Sequence, residues 1–404
     1  MSKPLPIAGF RPLEPLPAAT APAVRGGFAL WELGFRPFFL GAAAWAVLGV
    51  GVWAGLYAAG RPYPAGFDLL FWHRHEMLFG FTAAVICGFL LSAPGNWTGL
   101  PMPSGRPLAA LFLLWIAGRI TMALPTCPAG LNLAVNAPLL PLMAGMVVLP
   151  ILRKRQWRNL ALLILPCALA STGVAMHLGR MGVLPSAVVW AGDAAMLLVL
   201  VLITVMGGRI MPFFTSRGLG RPPLKPTPIL DVLAPATLLL AGGLGFAGVP
   251  SEVVAGAWVA AGVAAAVRLA RWQLPGVWHH PLLWSLHVAF IFLTAGCFLQ
   301  AASAAGWVAT PLARHAFTVG CIGMVCIGMM SRVARGHTGR PLRVDAPTLL
   351  ALRLVAVSAL VRVLVPLAVP SGYVHAVAVS GALWTIAFAV WFAAHVRMLI
   401  RPGN

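Results

Sequence analysis

Apolar runs of about twenty residues recur along this chain, and each is long enough to cross a hydrocarbon core of about 30 Å. Of the 404 residues, 60% are hydrophobic and only 9% are charged, which no water-soluble domain of this size would tolerate. We therefore predict an all-α polytopic membrane protein with about twelve transmembrane helices in a single bundle. The predicted spans are 37–59, 73–93, 107–125, 130–152, 160–180, 185–207, 229–248, 251–270, 281–303, 311–330, 348–369 and 373–399.

The segment before the first span differs in composition. Residues 1–27 are rich in Pro and Ala and lack the apolar core of a signal peptide. We predict a disordered cytoplasmic tail over 1–27 and a twelve-helix transmembrane domain over 28–404.

The net charge of +20 follows membrane topology and does not indicate a nucleic-acid partner. With the N-terminus inside, most of the 28 basic residues fall in the tail and the cytoplasmic connections, as in the run Arg153-Lys154-Arg155. This bias predicts that both termini are cytoplasmic. The basic residues towards the outside are Arg61, Arg74, Arg119, Arg180, Arg314 and Arg362.

The same orientation sorts the ten histidines into two layers. A histidine at a helix end can be a solvated interfacial residue, but ionisable groups inside apolar spans are functional candidates, and neutral imidazole ligates metals and hemes. No Cys-x-x-Cys-His motif occurs, so any heme is expected to be bound non-covalently. The outer layer is His73, His75, His177, His315 and His375, and the inner layer is His279, His280, His287, His337 and His395.

The segment Trp72-His73-Arg74-His75-Glu76 is the densest polar group at the mouth of an apolar span. Two residues apart on a helix is about 200° around the axis, so His73 and His75 should point to opposite faces and serve different centres. Glu76 is three residues from His73, so we expect it on the face of His73, as a proton relay. The alternative is an interfacial cluster that holds no ligand.

Three arginines lie near outer-layer histidines, namely Arg74, Arg180 and Arg314. Guanidinium groups pair well with carboxylates, so these residues are candidates to bind heme propionates, or else they are ordinary interfacial residues. Two glycine- and proline-containing segments, 207–215 and 336–341, predict structured loops beneath the bundle.

Several of these blocks, in this order, resemble the NnrS family, and the resemblance extends over nearly the whole chain after the tail. They are Phe35-Arg36-Pro37-Phe38-Phe39, Trp72 to Phe81, Asn96-Trp97-Thr98-Gly99, Gly207 to Thr215, and His315 through Gly336-His337-Thr338-Gly339-Arg340-Pro341.

The resemblance implies a multi-pass protein of the bacterial inner membrane that contains one or two b-type hemes, with copper as a further metal, and is tied to nitric oxide and nitrosative stress. It implies nitric oxide as the relevant small molecule. We also expect membrane lipid as a partner and an electron donor that is either a quinol or a cytochrome. The candidate cofactor ligands are His75, His315, His177 and His287, the candidate metal ligands are His73, His75, His315 and His337, and the candidate catalytic residue is Glu76.

Three functions remain open. The first is an oxidoreductase of nitric oxide reductase type, which would convert two nitric oxide molecules to nitrous oxide at a heme paired with a second metal. The second is a non-enzymatic heme protein that binds or senses nitric oxide. A transporter is less favoured, because only Asp193 is expected near the bilayer midplane, where transporters usually place charged substrate residues.

Overall fold

The computed structural model describes residues 27–60 and 68–403 and confirms an all-α architecture, with no strand in those ranges. The predicted tail therefore lies almost wholly outside the described residues, as does Arg61. Twelve helices in the described ranges are long and apolar enough to span a membrane, as predicted. They are α1 (Phe35–Ala59), α2 (Leu69–Thr98), α3 (Arg106–Ala123), α4 (Ala129–Arg153), α5 (Leu162–Arg180), α6 (Ala187–Gly218), α7 (Pro228–Phe246), α8 (Ser251–Trp272), α9 (Pro281–Ala304), α10 (Thr310–His337), α11 (Ala346–Ala368) and α12 (Pro370–Ile400).

Helices α2 and α10 form the centre of the bundle. In their apolar windows 89% and 83% of the residues are buried within the protein, against 28% in the peripheral helix α7. Both run from the end of the bundle that carries His75, here called the His75 end, towards the end that carries both described chain termini. The helices with the densest histidine motifs are therefore the ones most shielded from lipid.

Both central helices contain a π-helical segment directly after a histidine. These segments are Glu76–Thr82, which follows His75, and Ala316–Gly323, which follows His315. In the first, the Thr82 hydroxyl donates to the Met77 carbonyl at 2.7 Å. Such π-bulges widen the turn and occur frequently at functional sites, because they redirect the side chains around them.

Two helices extend well beyond their predicted ends. The segment 207–215, predicted as a loop, is helical, and α6 continues to Gly218 with Pro212 in its interior. Helix α10 continues to His337, so this histidine is its last residue, and the predicted turn begins only at Thr338, with Gly339 at φ 72°. Hydropathy marks where the lipid-facing stretch ends, and a helix can continue past that point in polar surroundings.

The end opposite His75 is closed by Arg36, whose side chain is only 2% exposed. Its guanidinium donates to the carbonyls of Leu399 at 2.9 Å and Arg401 at 2.6 Å. These bonds satisfy carbonyls at the end of α12 that have no partner within the helix. The Phe35-Arg36-Pro37 block thus ties α1 to the last helix.

Candidate functional site

Two buried imidazoles face each other between α2 and α5. The Nε2 atoms of His75 and His177 are 3.1 Å apart, and the two residues are only 1% and 3% exposed. They are 102 positions apart in sequence, so only the fold brings them together. The structure thus pairs two of the predicted cofactor ligands.

The His75 ring is held by the neighbouring carboxylate. Its Nδ1 lies 2.9 Å from Oε1 of Glu76, and a carboxylate accepts, so Nδ1 carries the proton. The Nε2 lone pair of His75 then points towards His177. A carboxylate on one ring nitrogen, with the lone pair on the other left to accept, is the arrangement that orients metal-binding histidines in many proteins.

Glu76 is fully buried and is paired with Arg119 of α3. Arg119 Nη1 lies 3.0 Å from Glu76 Oε2, and another guanidinium nitrogen donates to the side chain of Asn136 in α4. The sequence places Arg119 only among the basic residues towards the outside and assigns it no role, whereas in the structure it is 4% exposed and completes the site. The only sequence signal for this role is a charge within an apolar span.

The predicted position of Glu76 beside His73 is wrong. Glu76 contacts His75 and Arg119, because the π-helical segment begins at Glu76 and because the buried guanidinium attracts the carboxylate. The predicted separation of the two imidazoles agrees with the geometry. His73 stacks on Trp53 of α1, with ring centroids 3.8 Å apart, on a different side of α2 from His177.

A small cavity lies beside the imidazole pair, between α2, α4 and α5. Its polar lining is His75, His177 and Asn136, and its apolar lining includes Phe79 and Leu140. A small, weakly polar molecule would therefore be held with one side against the imidazoles and the other against hydrocarbon.

A second, larger and apolar cavity lies between α2, α6, α9 and α10. Its lining includes Met206, Cys326 and Met329 but no histidine. A metal or heme that is bound by imidazole would therefore lie at the first cavity, beside His75 and His177.

The other side of α2 carries a second polar group. His315 of α10 donates from Nδ1 to the Pro311 carbonyl at 2.6 Å, and its Nε2 faces a guanidinium nitrogen of Arg362 at 3.4 Å. The Arg362 guanidinium also donates to the Tyr373 hydroxyl at 2.8 Å. His73 and His315 are close enough to interact electrostatically, so the outer histidines form two groups rather than one.

Arg74 and Arg314, two of the candidate propionate partners, meet at Asp193. Arg314 is bidentate to this carboxylate at 2.9 and 2.7 Å, and Arg74 lies 3.4 Å from it. Asp193 lies about two turns from the start of α6, at the His75 end. Its carboxylate there joins α2, α6 and α10. The third candidate, Arg180, lies over the Phe71 ring at 5.0 Å.

Two other predicted ligands lie away from the imidazole pair. His287 places both ring nitrogens against backbone carbonyls, those of Leu283 at 2.9 Å and Trp272 at 3.2 Å. His337 packs on Phe35 at the opposite end, 22 residues and about 30 Å along α10 from His315. Neither can share an ion with His75.

The imidazole pair fits a metal centre by its chemistry. Imidazole suits copper and heme iron alike, and the carboxylate behind His75 supplies the orienting hydrogen bond. Two metal–nitrogen bonds of about 2.0 Å would place the Nε2 atoms about 2.8 Å apart at a right angle and about 3.3 Å apart at a tetrahedral angle. The observed separation of 3.1 Å lies between these values. Within the described residues no three His, Cys, Asp or Glu side chains converge, so the pair would leave coordination positions open.

Comparison with known proteins agrees with this architecture. No curated protein matches the chain. The model of the NnrS family, described as NnrS protein, matches residues 29–402, which is almost all of the described chain. The chain therefore belongs to the NnrS family of nitric-oxide-related membrane proteins.

Proposed function

We propose that this protein binds nitric oxide at a metal centre held by His75 and His177 and reduces it to nitrous oxide. The observation that carries the proposal is the buried series His177, His75, Glu76 and Arg119, in which two imidazole nitrogens face each other and a carboxylate stands directly behind one of them. Family membership supports nitric oxide as the relevant molecule.

Heme b and copper are the groups that the family resemblance implies, and the imidazole pair supplies donors for one of them. Such a metal would provide the electrons and the binding position for the nitrogen atom. We place this centre at His75 and His177 because their Nε2 atoms face each other. We place no second metal beside His315, because the positively charged Arg362 lies 3.4 Å from its Nε2 atom.

The reaction 2 NO + 2 e⁻ + 2 H⁺ → N₂O + H₂O needs protons at a site shielded from bulk water. Glu76 is the carboxyl group within reach of the imidazole pair, and it lies one hydrogen bond from His75. Arg119 and Asn136 continue the polar series towards the His75 end of α3 and α4. We propose that the Glu76 carboxyl donates protons at the imidazole pair, while Arg119 positions this carboxyl group.

The cavity between α2, α4 and α5 fits this role. Nitric oxide is small and weakly polar, so it can enter from lipid and rest against Phe79 and Leu140. The same walls limit the access of water to the reacting atoms, which favours controlled proton delivery by Glu76.

Turnover with an artificial electron donor tests the proposal. Wild-type protein is expected to consume nitric oxide and form nitrous oxide in a two-to-one ratio. Glu76→Gln should retain the visible spectrum and nitric oxide binding but lose turnover by about 100-fold or more. Glu252→Gln, at an exposed position in the first turn of α8, is the matched control and should behave like wild type. Equal turnover in Glu76→Gln and wild type would contradict the role of Glu76.

A non-enzymatic nitric oxide-binding protein is the second candidate. Reduction of two nitric oxide molecules is best served by two adjacent metals. The described residues contain one pair of facing imidazoles, which provides donors for one metal, and this favours binding without reduction. A spectral change on adding nitric oxide, without consumption in the presence of donor, would select this function.

A further inference from the structure

Arg362 is a buried cation that has no counter-ion among the residues that the structure describes. Its side chain is 3% exposed, and it lies within α11 near the His75 end. Within the described ranges its hydrogen-bond partners are the Tyr373 hydroxyl at 2.8 Å and, at 3.4 Å, Nε2 of His315. The other terminal nitrogen, Nη1, is buried and has no acceptor. A buried charge that has neither a counter-ion nor a full set of hydrogen bonds is strongly unfavourable.

Most other buried arginines of the described chain have a carboxylate nearby. The pairs are Arg36–Glu32 at 3.7 Å, Arg119–Glu76 at 3.0 Å, Arg268–Asp231 at 2.7 Å and Arg335–Asp345 at 2.9 Å. Arg332 also lacks an acid, but it lies over the Phe214 ring at 4.1 Å and donates to a carbonyl. Arg362 instead faces polar side chains from three other helices.

These side chains have hydrogen-bonding capacity to spare. Nδ1 of His73 is buried and has no hydrogen-bond partner in the described part of the chain, although its ring is fixed by stacking on Trp53. The Tyr373 hydroxyl accepts from Arg362 and retains its own proton to donate. Unused donors on Arg362, His73 and Tyr373 therefore lie at the same end of the bundle, on the side of α2 away from His177.

We propose that Arg362, His73 and Tyr373 form a binding site for a small planar oxyanion of the carboxylate type. A guanidinium presents donors in a fork that matches two oxygens, and an imidazole N–H and a phenol can complete the contacts. The positive charge beside His315 disfavours a metal cation at this place, which separates this site from the one at His75 and His177. The anion neutralises Arg362 and is independent of nitric oxide reduction.

Calorimetric titration of the purified protein with formate, and separately with nitrite, tests the site. Wild type is expected to bind both anions. Arg362→Gln should weaken binding by about 10- to 100-fold, the effect of losing a hydrogen bond to a charged group. Arg353→Gln removes an exposed arginine from the same helix and should bind like wild type. Arg362→Lys keeps the charge but not the fork and should show intermediate affinity.

The same chemistry could be supplied by a carboxylate of a tightly bound cofactor instead of a free ion. In that case wild type would not take up formate, and mass spectrometry of denatured protein would find an organic acid that is depleted in Arg362→Gln. The proposal is overturned if wild type takes up neither anion and contains no such acid, or if Arg362→Gln and wild type bind formate equally. Size-exclusion chromatography establishes that each variant is folded, and if Arg362→Gln is not, Arg362→Lys alone decides.

Discussion

The buried pair of Arg119 and Glu76 allows a quantitative test of the site. The two side chains are 4% and 0% exposed, with an N–O distance of 3.0 Å. At an effective dielectric constant of about 20, two charges at this distance attract by about 5 kcal/mol before desolvation is counted. Arg119→Gln leaves Glu76 buried without its cation, so we expect a loss of about 3–5 kcal/mol in the free energy of unfolding.

The double variant distinguishes this explanation from a general packing defect. Glu76→Gln combined with Arg119→Gln removes both charges and should recover at least about 2 kcal/mol relative to the sum of the single losses. Unfolding with increasing mole fraction of a denaturing detergent, followed by circular dichroism, measures all three variants. Arg106→Gln, at an exposed position in the first turn of α3, is the control and should change the unfolding free energy by less than about 0.5 kcal/mol. A coupling below about 0.5 kcal/mol would refute the pairing.

The remaining predictions compare positions near the site with positions remote from it. Gly80→Ala would place a methyl group 2.8 Å from the Glu76 carboxylate and should lower thermal stability, whereas Gly55→Ala, with no atom within 4 Å, should leave it unchanged or raised. Asp193→Asn should cost only about 1 kcal/mol or less in unfolding free energy, because its arginine partners are about one-third exposed. Asp231→Asn should cost more in the same assay, since its partner Arg268 is 2% exposed. His337→Ala, at the opposite end, should leave metal and heme content per chain unchanged by elemental and pyridine hemochrome analysis.

The number and placement of the helices could be predicted from sequence because each apolar run is an independent signal of local composition. Most predicted ends lie within a few residues of the observed ones, as for α9, predicted as 281–303 and observed as Pro281–Ala304. The large errors are in α6 and α10, which continue as helices after their apolar runs end. The orientation of the termini stays a prediction.

Only part of the candidate site could be predicted from the sequence. Helical geometry predicts that His73 and His75 diverge, and their contacts with Trp53 and His177 agree. The side on which Glu76 lies could not be predicted, because a regular helix was assumed where the π-helical segment changes the direction of side chains.

The partners of these residues depend on the packing of distant helices. No local pattern indicates that His177 reaches His75, or that the arginine at position 119 enters the bundle while Arg106 on the same helix stays exposed. The burial of Arg362 could not be predicted either, because a charged residue near the end of an apolar run ordinarily lies at the membrane interface.

The most direct test of the account is the heme and copper content of purified protein in three single variants. If His75 and His177 hold one metal centre, then His75→Ala and His177→Ala must each lose the same heme or copper signal, and His375→Ala, at an exposed position at the same end, must keep it. Wild-type metal and heme content in both His75→Ala and His177→Ala, or loss of different signals in the two, would contradict a shared centre.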